Sequence, residues 1–407
     1  MVNVATNADL KKDALVITLV GLAHGVSHFF HMLLAPLFPW IKEAFALSYA
    51  ELGLLMSVFF IVSGVGQALA GFVVDKVGAR PVLFFGMTCL GVSALVLSGA
   101  QNYSMLLSGA MLAGLGNSVF HPSDYTILNQ RVSSERIAYA YSVHGISGNL
   151  GWAAAPIFLV SIAGMFDWRT ALLAAAFLPL IVLVLLLVYR DVLRTQESAH
   201  SHPTLAVKSG SALGFMRLPA VWMCFGFFFM IAMALGGIQS FSSASLRDLY
   251  GMSLAWATAS YTAYMLASAG GMLWGGFIAA KTSQHDKTIA VAFSVAGALS
   301  LVLASGWVSP LLAVVLMGLI GFGAGVAGPS RDLLIRAAAP KNATGRVYGI
   351  VYSGLDIGLA CAPLLFGAVM DGRHPSWVFI CIGVFQVLAI LTAFNVGVKT
   401  RAQALAL

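Results

Sequence analysis

Of 407 residues, 59% are hydrophobic and only 9% are Asp, Glu, Lys or Arg, and the mean hydropathy is +0.91. A water-facing domain carries about 25% charged residues, so this composition excludes a chain of soluble domains and makes lipid the solvent. The formal net charge of +7 is then to be read as membrane topology, not as affinity for nucleic acid.

About twenty apolar residues cross roughly 30 Å of hydrocarbon as a helix. Such runs, marked between charges, predict twelve spans; the short alternating segments of a barrel are absent. Span 1 (14–41) follows Lys11 and Lys12, is too long for a signal peptide and is expected to be retained. It carries His24, His28 and His31, spaced four and three apart and so on one helical face. Spans 2 (50–74) and 3 (81–100) are joined by AGFVVDKVGARPVLFFG (70–86), where Gly71, Asp75, Lys76, Gly78 and Arg80 crowd together. A glycine at 71 permits close approach of another helix, and one at 78 permits the positive φ of a tight reversal. Asp75 is suited to capping the positive end of a neighbouring helix or pairing with an Arg.

Span 4 (104–128) holds His121 and Asp124, span 5 (137–163) holds His144, and span 6 (168–189) ends the first group. A polar stretch rich in Ser, His and Gln follows, expected to be a flexible linker. Six more spans come after it: 219–243, 253–280, 288–307, 309–335, 346–370 and 376–396. Arg331 and Asp332 fall in the tenth and Asp356 in the eleventh. An ionisable side chain deep in a span costs at least about 2.5–3.5 kcal/mol, so these nine groups are functional candidates. Cys89, Cys224, Cys361 and Cys381 all lie in apolar runs without CxxC pairing and are expected to be buried free thiols.

With both termini on the cytoplasmic side, inner loops and tails hold seventeen Lys and Arg, and outer loops hold four: Lys42, Arg169, Arg247 and Arg373. That asymmetry predicts the orientation. The halves also repeat. Residues 114–156 align without a gap on 321–363 at an offset of 207, with Gly114/Gly321, Gly116/Gly323, Pro122/Pro329, Ser123/Ser330, Tyr141/Tyr348, Gly151/Gly358 and Pro156/Pro363 coinciding. The predicted organisation is a first six-helix bundle over 1–189, a cytoplasmic linker over 190–218 and a second bundle over 219–407. Two similar halves are expected of a transporter with its site between repeats. In this register Asp124 and Arg331 are equivalent, so acid and base are predicted to face one another as a gate or as a substrate or proton site. Asp332 competes for Arg331, and Asp356 is a second proton-site candidate.

The loop pattern Gly71, Asp75, Lys76, Gly78, Arg80, with Ala79 in place of one base, resembles the signature between helices 2 and 3 of the major facilitator superfamily. The resemblance covers nearly the whole chain. It implies an all-α membrane protein of twelve transmembrane helices in two pseudo-symmetric six-helix bundles, with helix 1 lining a central cavity. It also implies that Asp75 acts in gating at the start of helix 11, near Thr344 and Arg346. More narrowly, residues 23–55 and 116–126 are similar to the fosmidomycin-resistance branch: His24 and Phe120–His121–Pro122 match, His28 stands where an acid is expected, and Ser123–Asp124 replaces a Glu.

No P-loop and no enzyme motif is present, so a gradient must supply the energy. The buried titratable groups favour protons. The expectation is a secondary transporter, not an enzyme, that moves a small organic solute across a bacterial inner membrane by alternating access. No cofactor, bound metal or nucleic-acid partner is expected, and one bundle pair suffices as a functional monomer. Efflux of an anionic or drug-like compound leads. Uptake of an organic acid is the alternative, since His24, His28 and Arg331 suit a carboxylate equally well. Metal import ranks third: Met230 and Met233 on span 7 are not joined by the paired Met and His motifs of copper importers.

Overall fold

The computed structural model describes residues 7–133, 135–195, 219–282, 284–338 and 344–405, and among them it is helical throughout. The described residues gather into two units: those within 7–46 and 58–195, and those within 47–57 and 219–405. Among the described residues, ten helices are long and apolar enough to cross a membrane. Two predicted spans fall outside those ten. Span 4 is divided into two short helices, and the helix of span 8 is diluted by serines, threonines and glycines such as Thr258, Ser260, Thr262, Gly270 and Gly271.

In unit 1, α1 (Asn7–His31) ends at a short 3-10 turn (Ala35–Leu37), and α2 (Phe38–Phe45) continues the first span. Pro36 and Pro39 interrupt the run, because each lacks the N–H that would extend the helix before it. Helix α3 (Tyr49–Val77) begins in unit 2 and ends in unit 1. It is followed by α4 (Ala79–Ser98), α5 (Tyr103–Asn117), α6 (Phe120–Arg131), α7 (Ile137–Met165) and α8 (Trp168–Val188). The break between α5 and α6 falls at Ser118 and Val119, and Ser118 is four residues before Pro122, whose ring excludes the carbonyl at that position. Within the unit α1 packs on α7, and α4 on α5 and α8. Asn102 and Asp167 cap α5 and α8 with side-chain oxygens on the first free N–H groups.

One side of this unit is closed by polar contacts. Ser133 and the Arg136 guanidinium both donate to Asp13 Oδ2, at 2.6 and 2.8 Å. Residues 190–195, expected to belong to the flexible linker, instead form a packed turn. Thr195 Oγ1 accepts from Ala79 N at 3.0 Å, Arg131 donates to the Val192 carbonyl at 2.8 Å, and Leu193 is buried. The remainder of the linker lies outside the described residues.

Unit 2 is built from α9 (Pro219–Tyr250), α10 (Leu254–Lys281), α11 (His285–Ala304), α12 (Pro310–Ala338), α13 (Thr344–Asp371) and α14 (Pro375–Leu405). Here α9 packs on α13 and α14, α10 on α12, and α11 on α12 and α14. A core of Phe227, Phe228, Ile289, Phe293 and Ile390 fills the space between α9, α11 and α14. Of the cysteines, Cys89 and Cys224 are buried as expected, but Cys361 is exposed and Cys381 partly so. Helices in lipid have an apolar outer face, so a thiol in an apolar run need not point into the bundle.

The sequence repeat reappears as packing. A side chain at Gly114 would strike the Phe59 carbonyl on α3, and one at its equivalent Gly321 would strike the Tyr264 carbonyl on α10. Gly116 lies against Gly86 and Cys89 on α4, and Gly323 against Ala292 on α11. Gly151 abuts Gly25 on α1, and Gly358 abuts Phe229 on α9. Each unit therefore uses the same three glycines to bring the same pairs of helices into backbone contact, the close approach that holds helices together in lipid.

Candidate functional site

The spacing of His24, His28 and His31 builds a column of rings on α1, with centroids 4.3 Å apart for the first pair and 4.7 Å for the second. Two further imidazoles reach it from elsewhere in unit 1. His144 of α7 stacks on His24 with centroids 3.5 Å apart and planes 21° from parallel. His121 of α6 stands edge-on to His24 at 5.3 Å. Beneath them sits Asp124, at 0% exposure. Its Oδ2 shares a hydrogen bond of 3.1 Å with His144 Nε2 and lies 3.4 Å from His24 Nδ1, close enough for charge attraction though outside hydrogen-bond geometry. Asp124 Oδ1 is buried with no hydrogen-bond partner among the described residues. The partners of Asp124 Oδ2 come from its own unit.

Local sequence explains why five rings fit. A side chain at Gly148 of α7 would come within 2.6 Å of His28 Nδ1 and 3.1 Å of His24 Nε2. Only glycine leaves room for the column there. Trp152, one turn further along α7, stacks on His28 at 4.4 Å, and Tyr125 covers His144 at 5.0 Å.

Three supporting residues, Asn117, Ser63 and Gln67, carried no signal in the sequence beyond being polar within apolar runs. His31 Nε2 donates to Asn117 Oδ1 at 3.0 Å, while Asn117 Nδ2 donates to Ser63 Oγ at 2.8 Å. His121 Nδ1 donates to Gln67 Oε1 at 2.8 Å. Because a carbonyl oxygen only accepts, these bonds place a proton on His31 Nε2 and on His121 Nδ1. His121 Nε2 and His31 Nδ1 are left free to accept or to take a second proton.

The cluster also bears on the expectation of no metal ligands. His24, His28 and His121, and separately His24, Asp124 and His144, bring one donor atom each to within 4.8 Å of one another. A metal sits near the plane of each imidazole that binds it, at about 2.0–2.1 Å from nitrogen. The stacked, nearly parallel planes of His24 and His144 cannot both contain one ion, so the second set suits a shared proton better than a cation. The first set has crossed planes, tilted by 51° to 74°, and could hold a divalent transition metal.

In unit 2 the Arg331 guanidinium lies 5.2 Å from the centre of the Phe228 ring, a cation–π distance, and Asp356 is half-buried on α13. The side chains of Asp332 and Asp75 lie outside the described residues, as do those of Thr344 and Arg346, where Asp75 was expected to act. In the loop, Gly78 has φ 82° and ψ 155°, a region essentially confined to glycine. At Gly71 nothing among the described residues lies within 4 Å of a side-chain carbon built there. Lys76 is exposed. Arg80 donates to the Arg190 carbonyl at 3.2 Å, anchoring the packed turn.

A membrane bundle of this helical order, with ionisable groups gathered inside it, defines a carrier of solutes and not an enzyme. The chain belongs to the major facilitator superfamily, whose family model matches residues 20–353. Among similar proteins is the Uncharacterized MFS-type transporter YfnC of Bacillus subtilis (strain 168), 24% identical over 92% of this chain and 91% of its own length. The Probable nitrate transporter NarT of Staphylococcus aureus (strain JH9) is 25% identical over 48% of this chain and 49% of its own length. A solved structure of a bacterial homologue of the human lysosomal transporter Spinster superposes with a TM-score of 0.72 at 14% identity, covering 94% of this chain and 96% of that one. That likeness shows the fold.

Proposed function

We propose that this carrier is proton-linked and moves a small organic anion across a bacterial inner membrane, with Asp124 as the proton carrier and His24 and His144 as its partners. The observation that supports this most is the wholly buried Asp124 carboxylate, one oxygen of which is set between two imidazoles. A buried carboxylate must be paired or neutralised. Here both conditions are available: an ionised acid beside an imidazolium, or a protonated acid beside a neutral ring. Imidazole can hold or release a proton at either ring nitrogen, so the geometry admits both arrangements. His28 and His121, with Trp152 beside them, would present N–H donors and an aromatic face to an anion.

Efflux is the favoured direction, on the resemblance of His24 and Phe120–His121–Pro122 to the fosmidomycin-resistance branch. Uptake of a small anion is the second reading, favoured by the similarity of about half the chain to the probable nitrate transporter. Both place the two termini in the cytoplasm and require only a monomer.

The test begins with thermal unfolding of the purified protein against phosphonates, carboxylates and nitrate, with Co2+ and Zn2+ as separate arms. The expected result is stabilisation by at least one anion. That anion is then followed in proteoliposomes under an imposed pH gradient. Gradient-driven movement should occur in the wild type, while Asp124→Asn should bind the anion and lose the gradient dependence. Movement of the anion that ignores the gradient in the wild type, or stabilisation by the metals alone, would overturn the reading.

A further inference from the structure

Away from the histidine cluster, unit 2 carries an open groove of about 700 Å3 lined by α10, α11 and α12. One end is polar. Thr282 closes α10, and Gln284, Lys287 and Thr288 open α11. The rest is apolar: Val291, Val295 and Leu299 follow along one face of α11, opposite Leu319 and Phe322 of α12. The spacing 284, 288, 291, 295, 299 is a single helical stripe whose character changes once, from hydrogen-bonding to hydrocarbon. The groove is concave because its floor is nearly bare. Gly323 brings α12 so close to α11 that a side chain there would lie 3.1 Å from the Ala292 carbonyl.

Two features separate this groove from an ordinary lipid-facing surface. The first is length. From Lys287 to Leu299 the stripe runs about 18 Å at the rise of an α-helix, against about 15 Å for the hydrocarbon of one leaflet. The second is charge. The polar end carries the exposed Lys287, and Lys281 lies exposed nearby at the end of α10, while the neighbouring acid, Asp286, is buried. Val291 and Val295 remain 66% and 52% exposed, open to a chain lying along them.

We propose that this groove is a binding site for an anionic phospholipid. The phosphate is held by Lys287, with Gln284 and Thr288 as hydrogen-bonding neighbours, and one acyl chain lies along Val291, Val295 and Leu299 against Phe322. A lysine ammonium is a strong donor to phosphate, and loops rich in Lys and Arg meet the anionic lipids of the inner leaflet. The proposal is independent of what the carrier transports.

Thermal unfolding of the full chain in a neutral detergent tests it, with added dioleoylphosphatidylglycerol, dioleoylphosphatidylcholine, or glycerol phosphate as the soluble headgroup. Phosphatidylglycerol should raise the unfolding temperature saturably, and the other two should not. Lys287→Glu should weaken half-saturation at least tenfold, and Val295→Trp, which fills the groove, should abolish the shift. Each variant is read as its own difference with and without lipid, so an altered baseline does not obscure the result. Equal shifts from the two phospholipids, a shift from glycerol phosphate alone, or variants that respond like the wild type would overturn the proposal.

Discussion

Gly148 shows how much of the candidate site hangs on one absent side chain. Gly148→Ala would set a methyl group 2.6 Å from His28 Nδ1, and moving α7 away from α1 to relieve it would break the close contact of Gly151 with Gly25. Overpacking of this kind costs about 1–3 kcal/mol. A lowered unfolding temperature with loss of transport is expected, and a variant with unchanged stability would show that the ring column is loose. Asp167 gives a prediction with a pH signature. Its carboxylate is held below the usual range, chiefly by the Thr170 N–H and hydroxyl and further by the Arg169 N–H. A depressed acid stabilises the fold fully above its unfolded value, about 3.9, and loses that contribution as pH falls through the folded one. Asp167→Ala should therefore unfold earlier than wild type at pH 7 and at pH 5, with the gap narrowing below about pH 4; a gap that persists there would assign the effect to packing. At this scale the sequence revealed the histidines, because ionisable groups in apolar runs are rare. It did not reveal Asn117, Gln67 or Gly148, since a lone amide or glycine in a span looks the same whether it supports a site or only packs.

Helices were legible through hydropathy and length, and their interruptions through proline, but the purpose of a glycine was not. The loop signature assigned close approach to Gly71 and a positive φ to Gly78. Among the described residues nothing lies within 4 Å of a side-chain carbon at the first, and the second has φ 82°. Thermal unfolding separates them: Gly71→Ala should leave stability unchanged, whereas Gly78→Ala should cost about 1–3 kcal/mol for a conformation that side chains resist. Equal effects would mean that the loop, not the local backbone angle, sets the cost. The repeat carried better information. Positions 114, 116 and 151 match 321, 323 and 358 in sequence, and each matched pair makes the same interhelix contact in its own unit. Gapless coincidence held because backbone contact fixes both the residue and its height along the helix. The Asp124–Arg331 match carried less. Equivalence under a repeat fixes a helix position but not a partner; within its own unit one oxygen of Asp124 meets His144 and His24.

On the scale of the whole chain, apolar composition pointed to the solvent and the series of long apolar runs to the class, because both are sums over many residues. Grouping of the chain was less visible: residues 47–57 cluster with 205–407 although the rest of α3 belongs with the first unit. Hydropathy reports each span alone and cannot say which neighbours it keeps. Orientation rests on another sum. Seventeen Lys and Arg fall in the loops and tails assigned to one side and four in those assigned to the other. The first set includes residues that anchor structure, such as Arg131 and Arg80, and others that are merely exposed, such as Lys76 and Lys287. Retention of positive charge on the cytoplasmic side acts on loops within about 15–20 residues of a span, a condition the short loops here meet. A reporter that fluoresces only in the cytoplasm should therefore light up when fused after Leu407. A phosphatase active only outside should work when inserted between Tyr250 and Leu254 and fail between Lys281 and His285. The opposite pattern at all three sites would invert the carrier. It would also move the polar end of the α10–α12 groove to the outer leaflet, so one topology experiment constrains both the direction of transport and the lipid that Lys287 meets.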